Sequence, residues 1–206
     1  MISDICKIEN GTKDLDAILK ENERVAIYNG YNNKQTLQLR LICEEIDGML
    51  PNIIDDFQGD FWIEQENGVC KVNVNINIPE LTSDKKEELI KVAKNKKNAN
   101  AIGLVGKIRS VIEDLFLNND KFKQYDIATL FNAGIEYSVG LTPSYSWSLS
   151  KYRKVVKEEN EEDWDELEKS IIANLADDVI VGVKRKQASI VVVKKFKWGK
   201  RYELKK

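Results

Sequence analysis

The strongest constraint in this chain is the run Val69 to Ile78, preceded by Asn67-Gly68 and by a second extended run, Phe61 to Glu66. Asn-Gly supplies the two positive-φ positions that a two-residue hairpin turn requires. Val72, Val74, Ile76 and Ile78 alternate with Lys71, Asn73, Asn75 and Asn77. One face of this hairpin is therefore apolar and the other polar, the pattern of an antiparallel sheet covered by helices on one side.

The far end of the chain repeats the theme. Val179 to Val183 and Ser189 to Phe196 read as strands around a turn region at Lys184 to Gln187. Three consecutive valines, Val191 to Val193, predict burial on both faces and hence a central strand. Between the hairpins the signal is helical. Leu104, Val105, Ile108, Val111, Ile112, Leu115 and Phe116 fall on one face of a helix.

Asn32 and Asn33 are caps for a helix from Lys34 to about Leu50, with Leu39, Ile42, Ile46 and Met49 or Leu50 inward and Pro51 as its stop. A first helix starts at Thr12 and buries Leu15, Ile18 and Leu19, after which Arg24 to Tyr28 reads as a short strand or extended link. Thr82 or Ser83 with Glu87 predicts a further helix through Leu89, Val92 and Ala93. The segment Ser138 to Ser150 reads as extended, with Tyr145 and Trp147 either core or interaction surface. Trp164, Leu167, Ile171 and Leu175 predict one amphipathic helix with its acidic residues near the N-terminus. Together these elements predict an α+β, two-layer α/β sandwich, with helices packed on one face of a mostly antiparallel mixed sheet.

Composition narrows the chemistry. Residues 1–206 are long enough for a substantial core in a single domain. No apolar run is long enough for a membrane span, and the start MISDICKIEN lacks an apolar signal region, so the expected location is cytoplasmic. There is no histidine, which removes Ser-His and Cys-His nucleophile arrangements and the usual zinc sites. Cys6, Cys43 and Cys70 match no metal or redox spacing and read as buried free thiols, so no metal site is expected. The net charge of -2 argues against nucleic acid as the partner, although the basic tail with Trp198 and Tyr202 has the composition of a single-strand binder.

Two stretches carry the candidate chemistry. The 34–50 helix bears adjacent acids, Glu44 and Glu45, which point about 100° apart, so at most one aims into a given site. Arg40 stands one turn before Glu44, and a surface ion pair between them is the plain alternative. At the start of the later helix stand Gly103 and Gly106, with Lys107 and Arg109 just inside. A helix N-terminus presents free N–H groups to an anion, and packing of the two glycines is the competing reading. The basic loop Lys94 to Asn98 precedes it, as a lid over an anionic ligand or as ordinary surface.

The order of these elements resembles the histidine-kinase-like ATPase (GHKL, Bergerat) fold, near anti-sigma-factor-like ATP-binding proteins. The stretches that carry it are RLICEEIDGML at 40–50, GDFWIEQENG at 59–68, KNANAIGLVGKIRSVIEDLF at 97–116 and DELEKSIIANLADDVIVGV at 165–183. It covers residues 33–117 and 178–196, leaving 118–177 as an elaboration within the domain. The resemblance implies that Glu44 or Glu45 stands where the family places its general base. It also implies that Asn98, Gly103, Gly106 and Lys107 belong to a glycine box around the phosphates of ATP or ADP with magnesium. The family's metal-binding asparagine, four residues after the glutamate, is replaced by Gly48 or Met49. Its Asp-x-Gly-x-Gly motif is also absent, where Asn77-Ile78-Pro79-Glu80 follows the strand. The expected function is a regulatory or protein-binding role without catalysis and with another protein as partner, the alternative being an ATP/ADP-binding anti-sigma-factor-like regulator or kinase.

Overall fold

The computed structural model describes residues 1–10, 15–54, 56–77, 103–117, 135–138, 144–159, 161–184 and 187–196. The predicted helix through residues 82–93, the loop with Asn98 and the basic tail lie outside them.

The strands are β1 (Cys6–Glu9), β2 (Gln58–Glu66), β3 (Val69–Asn77), β4 (Ile135–Ser138), β5 (Ser144–Ser148), β6 (Asp178–Lys184) and β7 (Gln187–Lys195). They form one seven-stranded sheet in the order β1-β2-β3-β7-β6-β5-β4. Every described pairing of these strands is antiparallel. Asn67 at φ 49° and Gly68 at φ 80° build the β2–β3 turn, as their chemistry predicts. β7 lies at the centre, between β3 and β6, as its valines predict.

The helices are α1 (Leu15–Tyr28), α2 (Asn33–Ile53), α3 (Gly103–Leu117), α4 (Leu149–Glu159), α5 (Glu161–Glu168) and α6 (Ile171–Leu175). They cover one face of the sheet. Register puts Phe61, Val74 and Ile190 side by side on that face, followed by Val181 and Trp147. These five side chains share a core cluster with Ile18 and Val25 of α1, Ile42 and Ile46 of α2, and Leu104 and Ile108 of α3. The fold is thus the α+β sandwich the sequence predicts. Trp147 belongs to the core, with no exposed surface.

Several local expectations are corrected. Arg24 to Tyr28 is the last part of α1 and not an extended link, because Ile18, Glu21, Asn22, Val25 and Ala26 make one buried helical stripe. The polar pair Glu21-Asn22 hides that stripe in the sequence. Its burial is locally justified for Glu21, whose carboxylate accepts the Asp4 backbone N–H at 3.0 Å and pairs with Arg24 at 2.6 Å.

Helix α2 starts where predicted, with a capping box between Asn32 and Gln35. It passes through Pro51 and ends at Ile53, and the Ile54 N–H bonds to the Leu50 carbonyl at 3.0 Å. Proline withholds its own N–H and crowds the carbonyl four residues before it, and the later residues still close their turn. The single helix predicted over Trp164 to Leu175 is two, α5 and α6. Ser170 caps the second by accepting the Ala173 N–H at 3.2 Å. Leu149 and Ser150, read as the end of an extended segment, instead open α4.

Candidate functional site

Helices α2 and α3 pack directly on each other. The facing stripes are apolar: Ile46, Met49, Leu50 and Ile53 from α2 share the core cluster with Leu104, Ile108, Val111 and Ile112 from α3. Arg109 marks the crossing, its Nη1 donating to the Asn52 carbonyl at 3.4 Å while its Nε pairs with Glu113 at 2.9 Å.

Glu44 and Glu45 are both half-buried on α2, between the fully buried Cys43 and Ile46. Glu44 accepts from Arg40 Nε at 2.8 Å, the i, i+4 ion pair foreseen as the plain alternative. Such a pair contributes a few tenths of a kcal/mol.

At the mouth of α3, Gly103 has φ 75°, a backbone state that side chains other than glycine adopt at a cost. Gly106 is buried and Lys107 half-buried. The Lys107 ammonium sits 4.7 Å from the centroid of the Tyr152 ring, which itself lies 5.6 Å from the Trp147 ring. This stack joins α3 to α4 and β5, an association the sequence does not reveal. Among the described residues, no group of three or more His, Cys, Asp or Glu is placed to hold a metal ion.

The three cysteines are buried free thiols, as read from their spacing. Burial, with Cys70, Glu44 and Cys6 nearby, pushes the Cys43 thiol well up. Cys70 is pushed up to about 12 by burial, against the opposing effect of a hydrogen bond with Tyr31. Tyr31 also donates to the Gln65 side-chain oxygen. Cys43 and Cys70 therefore stay protonated at neutral pH, which makes them packing groups and poor nucleophiles.

The side of the sheet away from the helices carries a feature that sequence reasoning missed. Register aligns Trp62, Asn73, Val191 and Ile180 in one row across four strands. The neighbouring row runs Ile2, Glu64, Lys71, Val193. Trp62, Val191, Ile180 and Val193 are half-buried and Ile2 is exposed. Trp62 is held by its Nε1 donating to Glu64 at 2.8 Å. The unbroken runs Phe61-Trp62-Ile63 and Val191-Val192-Val193 were the available signal; the first reads only as part of a hairpin strand and the second as two-sided burial. The asparagine ladder lies on this same face, with Asn73 buried, Asn75 half-buried and Asn77 exposed.

Below this stripe, a cleft of about 450 Å³ is lined by Lys7, Ile8, Glu9, Gln58, Gly59, Asp60 and Asn77. Lys7 and Asp60 pair across it at 2.5 Å. No described helix is long and apolar enough to cross a membrane. No protein-family model matches the chain, and no curated protein matches it either.

Proposed function

We propose that this chain is a regulatory, protein-binding domain on a histidine-kinase-like ATPase fold, working without catalysis. The observation that carries the reading is the row Trp62, Val191 and Ile180, flanked by Val193 and Ile2, on the sheet face opposite the core. These apolar groups, with Asn73 and Lys71 set between them, stand on a sheet face away from the core that another protein can cover, and a tryptophan is a frequent anchor in such contacts. The apolar packing between α2 and α3, the Arg40–Glu44 pair and the Lys107–Tyr152 stack supply the argument against catalysis. Glu44, one of the two candidate bases, and Lys107, a candidate phosphate ligand, are each engaged in structural contacts.

The test has two arms. A photo-crosslinking residue at Val191 should give a discrete adduct with a second protein in cells, and the same residue at Lys20 on α1 should not; equal labelling from both positions sinks the reading. Thermal melting with millimolar Mg-ATP or Mg-ADP should leave the midpoint unchanged. ATP or ADP binding at Glu44, Glu45, Gly103, Gly106 and Lys107 is the second reading, favoured by the positive φ of Gly103 at a helix mouth. Nucleotide at one hundred times its dissociation constant would stabilise the fold by about 2.7 kcal/mol. A shift abolished by Gly106→Val would establish that second reading.

A further inference from the structure

We draw no further inference here: the strongest candidate, the surface patch of exposed Ile5, Ile27 and Tyr28 where Asp4–Arg24 and Met1–Asn29 tie the end of α1 to the start of the chain, carries none because nothing in the structure shows what covers it.

Discussion

The Asp178 carboxylate, at the first residue of β6, accepts the backbone N–H of Ser150 in the first turn of α4, 2.9 Å away and 28 residues distant in sequence. The same carboxylate takes the Val179 N–H at 2.8 Å and the hydroxyls of Ser148 and Ser150 at 3.0 Å. A helix cap that is usually supplied by the preceding residue is here supplied from a strand. The negative charge also lies at the positive end of the α4 dipole. Asp178→Ala should cost about 2 kcal/mol in chemical denaturation, with Asp178→Asn costing less because it keeps an acceptor. Equal stability of Asp178→Ala and the parent would show that α4 caps itself by other means.

Two glycines should respond oppositely to the same methyl group. A Cβ on Gly59 would stand 2.2 Å from the Asn75 carbonyl oxygen, on backbone that cannot rotate away, whereas a Cβ on Gly48 meets nothing within 4 Å. Gly59→Ala should destabilise by about 3 kcal/mol, at the upper end of overpacking costs. Gly48→Ala, inside α2, should stabilise by about 0.5–1 kcal/mol. Urea midpoints of the two variants decide both.

The buried thiols predict an alkaline limit. In the unfolded chain Cys70 titrates near its ordinary value of 9, and in the fold burial pushes it up to about 12. Below about pH 9 both states hold the proton and the contribution is fully present. Between about 9 and 12 the unfolded chain releases its proton first, so stability falls by about 1.4 kcal/mol per pH unit for this thiol. Cys43 acts in the same direction. Melting at pH 7.5 and 10.5 should show the loss, and Cys70→Val should reduce its slope. At pH 8 the folded chain should resist thiol reagents that label it fully in denaturant.

Asn22 is 1% exposed, and neither its side-chain nitrogen nor its oxygen has a hydrogen-bond partner among the described residues. Leucine has the same branching at Cγ without the polar atoms. Asn22→Leu should therefore raise stability by about 1–2 kcal/mol, the cost of a buried polar group left unmatched. A lower melting temperature would mean that a water completes the amide's hydrogen bonds or that the site is too tight for two methyl groups.

Legibility in the sequence followed the range of the interactions. The β2–β3 hairpin, the Asn32 cap and the face of α3 were readable because each is set by residues a few positions apart. Arg24 to Tyr28 was misread because the stripe that makes it helical passes through two polar residues, Asn22 and Glu21, the latter buried with its charge met by the Asp4 backbone N–H and Arg24. The break between α5 and α6 was hidden because Trp164, Leu167, Ile171 and Leu175 keep helical spacing across a serine cap. In the candidate site, the Arg40–Glu44 pair was legible as an i, i+4 spacing. The Lys107–Tyr152–Trp147 stack was not, since it joins three elements that the sequence leaves unrelated.

By itself the sequence determined that apolar positions recur with period two in the strands and near 3.6 in the helices. It thereby determined an α+β chain with its helices on one side of a sheet. Only the tertiary structure decided that β3 pairs with β7, bringing Asn77 to 3.0 Å from Gln187 across 110 residues of chain. That one pairing joins the two hairpins into one sheet and lines up Trp62, Val191 and Ile180 on its outer face. Periodicity tells a strand which of its faces is apolar. Which strand lies beside it is fixed by burial and backbone hydrogen bonds summed over the whole chain, and no local window contains that sum.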